Sequence, residues 1–195
     1  MAITTQVVTT MRDDFPQPVA HPGASPRCSV IVPVYNGAAV IGRCLDALAG
    51  QTLALDQFEV IVVDDGSADG TAGVVERWAS QHGGLRVRVV CQDHTGPAAA
   101  RNHGAAMARA PLLLFTDADC QPAPAWAQAL LDGFAGPHPP AGLMGAYRSQ
   151  QQSLAARFAQ LEFEDRYRRM RRTPALDVVA TYSAAFRRDV FMQAG

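Results

Sequence analysis

The sequence lacks the features that mark membrane-spanning, secreted, zinc-binding and nucleic-acid-binding proteins. No apolar run reaches the roughly 18 residues of a transmembrane helix, and residues 1–27 contain no apolar signal-peptide core. The four cysteines form no CxxC pair, which indicates reduced thiols in a cytosolic protein and no zinc site. A net charge of −1 gives no support for nucleic acid as a partner.

Two nucleotide-binding signatures are also missing. No GxGxxG motif follows the first apolar run, which argues against a dehydrogenase. The segment VYNGAAVIGR, residues 34–43, lacks the Gly-rich loop with a basic residue that a nucleotidyltransferase needs. A nucleotidyltransferase is therefore kept only as the weaker alternative.

The composition that is present suits a single globular domain. The chain has 195 residues, of which 48% are hydrophobic, enough to bury a sizeable core. Residues 1–27 are rich in proline and threonine without periodicity, so we expect a mobile N-terminal tail. The domain is expected to occupy residues 28–195.

From residue 28, buried strand patterns alternate with helical patterns. The strands are almost continuously apolar, which is typical of a parallel sheet covered on both faces. The alternation therefore predicts an α/β fold, with a mostly parallel sheet and helices on both faces. The predicted strands are 28–34, 58–64, 85–90, 111–116, 142–148 and 175–186, and the predicted helices are 38–50, 67–81, 96–110, 122–134, 153–172 and 187–195.

Polar residues follow three of these strands at their carboxyl ends, in the sequences VYNG, DDGS and DAD. In an open parallel sheet, ligands bind outside the carboxyl ends of the strands. If the first, second and fourth strands are neighbours, the side chains that follow them lie close together at the carboxyl edge of the sheet. These side chains are Tyr35, Asp64, Asp65, Asp117 and Asp119.

This acidic rim predicts a metal site. Clustered carboxylates repel, and each raises the pKa of its neighbours unless a cation is present. A few oxygen ligands favour Mg²⁺ or Mn²⁺, which retains waters and also binds substrate phosphates. The alternative is a set of turns and helix caps without chemistry, and we prefer that interpretation for Asp69 and Thr71.

A family resemblance is carried by four segments in order: SVIVPVYNGAAVIGRCLDALAGQT, FEVIVVDDGSADGTA, GPAAARNHGAAMARAPLLLFTDADC and YSAAFRRDVFMQAG. Over about residues 28–195 the chain resembles the nucleotide-sugar-dependent glycosyltransferases of family 2. The resemblance implies the GT-A fold, whose sheet is Rossmann-like. It also implies metal-dependent transfer, with inversion, of a sugar to an acceptor hydroxyl. UDP is the usual nucleotide of this family, so we expect a UDP-sugar donor.

For the nucleoside, the resemblance implies four contact residues. Pro33 and Tyr35 match the loop that lines the base, with Tyr35 packing on it. Asp65 matches the residue that hydrogen-bonds the base, and Asp64 is a nearby candidate. The alternative for Tyr35 is packing beneath a loop.

For the diphosphate, the resemblance implies three further residues. Arg101 matches a basic residue near the nucleotide, with structural pairing to a carboxylate as the alternative. Asp117 matches the first Asp of the DxD motif, close to the ribose. Asp119 matches the second, which binds the metal, so Asp119 and Asp117 are the candidate metal ligands. We assign no role to the histidines near the third helix, His94 and His103.

The catalytic base is not identified. The family places a carboxylate base beyond a GGFD-like stretch, and the sequence reaches Gly195 before such a stretch. Asp177 and Asp189 are the last carboxylates, and neither lies in that context. We therefore expect a truncated N-terminal portion that binds nucleotide-sugar but transfers little sugar, with a non-catalytic binding module as the alternative.

The partners are only partly defined by sequence. The acceptor is left open between a polysaccharide and a lipid-linked molecule. The arginine-rich segment 153–172 suits a solvated face paired with its own carboxylates, which we favour, or peripheral contact with an anionic membrane. We expect a cytoplasmic protein, located at the inner face of the membrane in the second case.

Overall fold

The computed structural model describes residues 2–3, 25–146, 149, 153–170 and 179–194. Most of the predicted N-terminal tail lies outside these residues, and its mobility stays a prediction. Ala2–Ile3 pairs in parallel with Gln121–Pro122. The backbone N–H of Arg27 donates to the carbonyl oxygen of Gln57 at 2.7 Å, so the chain is hydrogen-bonded to the domain before the first predicted strand.

The described residues alternate between strands and helices much as the sequence predicts. The strands are β1 (Ala2–Ile3), β2 (Cys28–Val34), β3 (Phe58–Asp64), β4 (Arg86–Cys91), β5 (Leu112–Thr116), β6 (Gln121–Pro122), β7 (Gly142–Met144) and β8 (Ser183–Arg187). The helices are α1 (Ile41–Ala49), α2 (Thr71–Gln81), α3 (Pro97–Met107), α4 (Trp126–Asp132), α5 (Leu154–Met170) and α6 (Arg188–Ala194), with a short 3₁₀ turn at Leu55–Gln57.

Six of the strands form one sheet in the order β4-β3-β2-β5-β8-β7. Strands β2 to β5 pair in parallel, whereas β8 runs antiparallel to both β5 and β7. Because β2 lies between β3 and β5, the predicted neighbourhood of the first, second and fourth strands is confirmed. The α/β class with a mostly parallel sheet is also confirmed.

Alternate residues of the central strands supply two cores on opposite faces of the sheet. Val30 and Val32 join a core with residues of α1, α2 and α4. Ile31 joins the other core, which contains residues of α3. Every residue of β2 and β3 is buried, because helices cover both faces.

Helix α3 approaches the sheet closely at Gly104. A Cβ added there would lie 2.5 Å from Cγ2 of Ile31 and 3.1 Å from Cγ2 of Val63, so the contact requires glycine. Trp126 of α4 is fully buried, and its Nε1 donates to the Ser183 hydroxyl at 3.0 Å. Trp126 therefore belongs to the core.

Helix α5 carries both ion pairs and exposed apolar side chains. Arg168 and Arg169 each pair with Asp165, as the solvated-face interpretation predicts. Leu154, Phe158 and Leu161 are exposed on the same helix. Among the described helices, none combines the length and apolar character needed to cross a membrane.

Candidate functional site

The loops that follow β2 and β3 are joined by direct hydrogen bonds. The backbone N–H of Asn36 donates to the Ser67 hydroxyl at 2.8 Å, and the Asn36 side-chain oxygen accepts the N–H of Ala68 at 2.9 Å. Asn36 has a φ of 49°, a left-handed conformation that asparagine tolerates better than most residues. The two strand ends are thus fixed relative to each other.

Asp69 extends this connection to the start of α2. Its Oδ1 accepts the N–H of Thr71 at 3.1 Å, so Asp69 closes the turn that leads into α2, whose N-cap position is Gly70. Its Oδ2 accepts the N–H of Ala38 at 3.0 Å, and the Thr71 hydroxyl accepts the N–H of Gly37 at 2.9 Å. The hydrogen bond from the Thr71 hydroxyl is the main cause that lowers the pKa of Asp69. Both residues therefore act as structural anchors.

A cleft of about 390 Å³ opens at the carboxyl ends of β2, β3 and β5. Tyr35 is 51% exposed at this cleft. Predicted site residues from separate parts of the chain therefore meet in one place. The lining consists of Pro33, Val34, Tyr35, Asp65, His94, Pro97, Ala100, Arg101 and Asp117.

Asp65 is the buried acid of this cleft, only 2% exposed. Its Oδ1 accepts the N–H of Thr95 at 3.0 Å and the side-chain amide of Gln92 at 2.7 Å, and its Oδ2 accepts the N–H of Gly96 at 2.8 Å. Burial raises the pKa of the Asp65 carboxyl, but these hydrogen bonds outweigh it and hold the pKa below its ordinary value. Asp65 is therefore ionised at neutral pH.

Arg101 of α3 and Asp117, which follows β5, form an ion pair in the lining of the same cleft. Nη2 of Arg101 lies 2.6 Å from Oδ1 of Asp117. Nη1 of Arg101 also donates to the carbonyl oxygen of Pro97 at 3.3 Å. The pair places one positive charge beside the turn after β5 that carries Asp117 and Asp119, which we call the acidic turn.

The acidic turn presents a group of possible metal ligands. Ligand atoms of Asp117, Asp119 and Cys120 all lie within 4.8 Å of one another. Burial, with the nearby carboxylates, raises the pKa of the Cys120 thiol to about 12, and its Sγ donates to Oδ1 of Asp119 at 3.6 Å. The two carboxylates of this group supply oxygen donors, which suit Mg²⁺ or Mn²⁺.

Asp64 is absent from the described lining of the cleft, as Asp119 is, so its contact with the nucleotide stays a prediction. Its Oδ1 instead accepts the N–H of Ser67 at 2.9 Å and closes the turn after β3. Asp64 is buried, and β3 ends at this residue, so Asp65 already belongs to the loop that follows the strand. Asp65 is the residue of the pair that lines the described cleft.

His94 was missed by the sequence reasoning. Its ring stacks on Tyr35 with centroids 4.1 Å apart, and its Nδ1 lies 2.8 Å from Oδ2 of Asp65. Its loop packs tightly on the turn at Gly66, where φ is 79° and an added Cβ would lie 2.9 Å from the His94 nitrogen. The missed signal was QDHTG, a polar sequence that follows β4 as the other motifs follow their strands.

The family model described as "Glycosyl transferase family 2" matches residues 29–195. The chain belongs to glycosyl transferase family 2. This match covers the whole cleft together with the strands and helices that build it.

The curated proteins that the chain resembles include glycosyltransferases. The chain is 44% identical over 129 residues to a validoxylamine A glucosyltransferase of Streptomyces hygroscopicus, covering 64% of this chain and 30% of that protein. It is 39% identical over 101 residues to glycosyltransferase AglE of Haloferax volcanii, covering 52% of this chain and 33% of that protein. The chain thus spans about a third of these curated relatives.

A solved structure confirms the predicted GT-A architecture. The mannosyltransferase PcManGT of Pyrobaculum calidifontis, in complex with GDP-Man and Mn²⁺, superposes with a TM-score of 0.71 and 29% sequence identity. The superposition covers 93% of this chain and 50% of that one. The family match and the α/β fold therefore agree.

Proposed function

We propose that this chain forms the donor-binding part of a glycosyltransferase that takes a sugar from a nucleotide diphosphate sugar, with UDP as the nucleotide. The observation that carries the proposal is the meeting of Tyr35, Asp65, Arg101 and Asp117 in one cleft at the carboxyl edge of the sheet. The exposed Tyr35 ring can stack on a base, and the buried Asp65 carboxylate can accept a hydrogen bond from it. The Arg101 cation, beside the acidic turn, can bind the diphosphate.

Each group has a distinct task in this proposal. The Tyr35 ring supports the base, and the Asp65 carboxylate accepts a hydrogen bond from it. Pro33 shapes the wall beside the base. Arg101 places its positive charge toward the diphosphate, where charge develops as the bond to the sugar breaks.

The metal site belongs to the same proposal. Asp119 and Asp117 are the residues that would hold Mg²⁺ or Mn²⁺. The ion supplies electrostatic stabilisation of the leaving diphosphate when it is bound. The relative solved with GDP-Man and Mn²⁺ supports a divalent cation at such a site.

The transfer itself is proposed to invert the anomeric centre. An acceptor hydroxyl then attacks the anomeric carbon from the face opposite the leaving diphosphate, and a carboxylate takes its proton. Asp189 does not suit that task. Burial raises its pKa, but the hydrogen bond from Arg187 and other hydrogen bonds lower it below its ordinary value, and Arg187 lies 2.7 Å away. Asp177 lies outside the described residues.

Calorimetry tests the donor proposal directly. The chain is titrated with UDP, GDP and their sugars, each in Mn²⁺ and in EDTA. We expect UDP and UDP-sugars to bind, more tightly in Mn²⁺. Binding of none of them would refute the proposal. Transfer assayed on a longer chain separates an enzyme from the alternative, a non-catalytic nucleotide-sugar-binding module.

The acceptor and the location are proposed only as classes. We propose that the acceptor is a polysaccharide or a lipid-linked molecule and that the protein is cytoplasmic. Peripheral membrane contact through α5 stays a prediction, since the ion pairs of Asp165 suit a solvated face while Leu154, Phe158 and Leu161 are exposed.

A further inference from the structure

The Asp65 carboxylate is already saturated with hydrogen-bond donors. Thr95 N–H and the Gln92 amide donate to Oδ1, which the Thr95 hydroxyl also contacts at 3.4 Å, and Gly96 N–H and His94 Nδ1 donate to Oδ2. The two oxygens of a carboxylate offer about four lone-pair positions. An incoming N–H of a nucleobase therefore needs one of these donors to leave.

The donors other than His94 are held in place by other structure. Thr95 and Gly96 donate through backbone N–H groups directly before α3, which begins at Pro97. The Gln92 side chain also donates to the Thr95 hydroxyl at 2.7 Å, and its Oε1 lies 2.8 Å from Nδ1 of His103. Removing any of these donors would disturb the loop that shapes the cleft.

His94 is the donor that can leave. Its side chain is 55% exposed. Its Nδ1 contacts only acceptors on Asp65, Oδ2 at 2.8 Å and the carbonyl oxygen at 3.0 Å. Because both neighbours are acceptors, Nδ1 must carry a proton whether the ring is neutral or charged. A rotation of this side chain would release Oδ2 without moving the backbone.

The imidazole makes the same two contacts that a base would make. It is a flat ring stacked on Tyr35 at 4.1 Å and tilted by 25°, and it donates one ring N–H to Asp65. A pyrimidine with a ring N–H would use the same stacking face and the same acceptor. The ring and the base cannot occupy this position together.

We propose that His94 occupies the base position of the cleft and that the nucleotide binds by replacing it against Tyr35 and Asp65. The proposal rests on the donor-binding function and adds a residue that selects the base. Since the donors to Oδ1 stay, the exchange frees one acceptor position, on Oδ2. A single acceptor suits uracil, whose pairing edge has one ring N–H, better than guanine, which offers two parallel donors.

The test compares UDP binding by the wild type, His94→Ala and a matched control. His82→Ala is the control, because it removes a second histidine stacked on an aromatic ring, Trp78, at 4.1 Å and away from the cleft. We expect UDP to bind His94→Ala roughly 3- to 10-fold more tightly, since no charge-assisted hydrogen bond has to break first. UDP affinity of His82→Ala is expected to equal that of the wild type.

A second variant and a spectroscopic measurement complete the test. His94→Phe keeps a ring on Tyr35 but loses the donor, and we also expect it to bind UDP more tightly than the wild type. In the wild type, the imidazole resonances of His94 should move to solvent-exposed values when UDP is added. Unchanged or weaker binding in both variants, or resonances that stay in place, would overturn the proposal. If the folded wild type and variants all fail to bind UDP, the donor-binding function itself is wrong and this proposal falls with it.

Discussion

Nη2 of Arg101 lies 2.6 Å from Oδ1 of Asp117 and joins α3 to the acidic turn after β5. The Arg101 side chain is 15% exposed and that of Asp117 is 37% exposed, so the pair is partly screened from solvent. One oxygen of Asp117 is therefore engaged by a cation of the protein. Asp119 is the other carboxylate of the proposed metal site.

Asp119→Ala is expected to remove the metal-dependent part of nucleotide binding. In Mn²⁺ the affinity for UDP should fall at least about tenfold, because a carboxylate ligand of the ion is lost. In EDTA the affinity should stay at the wild-type value. Isothermal titration in both conditions measures the two effects.

Asp132→Ala is the matched control, since Asp132 is exposed and bonds to Gln128 on α4. This variant should bind UDP as the wild type does in both conditions. An equal loss in Mn²⁺ and EDTA for Asp119→Ala would contradict a role in metal binding.

Asp65→Asn is expected to reduce the acid sensitivity of folding. The folded-state pKa of Asp65 lies below its ordinary value, so its ionised form stabilises the fold above the unfolded-state pKa. That stabilisation is lost as the pH falls through the folded-state pKa, below about pH 4. The variant should be less stable at pH 7, but its free energy of unfolding should fall less between about pH 5 and 3.

Urea unfolding at a series of pH values measures this slope. Asp69 and Asp189, whose pKa values are also lowered, should preserve part of the acid sensitivity in the variant. A slope identical to that of the wild type would show that the hydrogen bonds of Asp65 do not stabilise its charge.

Gly104→Ala is expected to destabilise the protein by about 1–3 kcal/mol, because the new methyl group overlaps Ile31 and Val63. Gly42→Ala on α1 is the opposite case, since an added Cβ meets nothing within 4 Å. Alanine also has the higher helix propensity, so this variant should gain up to about 1 kcal/mol. Equal effects of the two changes on the free energy of urea unfolding would contradict the close packing of α3.

Thiol titration is expected to detect one reactive cysteine in the native protein and four after denaturation. Cys91 is exposed, whereas Cys28, Cys44 and Cys120 are buried. Burial raises the pKa of Cys28 and Cys120 to about 12, which suppresses the reactive thiolate as well as access. Cys91→Ser should therefore abolish the native signal, and a remaining fast thiol would contradict the described burial.

The central sheet could be predicted from the sequence because its strands are continuously apolar and each is followed by a helix. That pattern indicates β2, β3 and β5 and their parallel pairing. The antiparallel placement of β8 between β5 and β7 could not be predicted. The segment 175–186 has strand propensity, but its sequence does not indicate which strands it pairs with or in which direction. Its pairing depends on contacts between residues far apart in sequence, such as Trp126 and Ser183.

Part of the candidate site could also be predicted from the sequence. The rule that ligands bind at the carboxyl ends of strands correctly brought Asp65 and Asp117 to one cleft. It was not applied to the loop after β4, and His94 was missed for that reason. The separation of Asp64 from Asp65 required coordinates, because a dipeptide does not show which of its side chains faces the ligand.

The position of β8 has a consequence during translation. Its partner β5 is made much earlier, so in a nascent chain the β5 edge of the sheet has no partner strand until Ser183–Arg187 leaves the ribosome. The residues that line the described cleft lie between positions 33 and 117 and are all made before that strand. We therefore expect the cleft-forming part of the sheet to be synthesised first, and β8, which joins β5 to β7, to be added last.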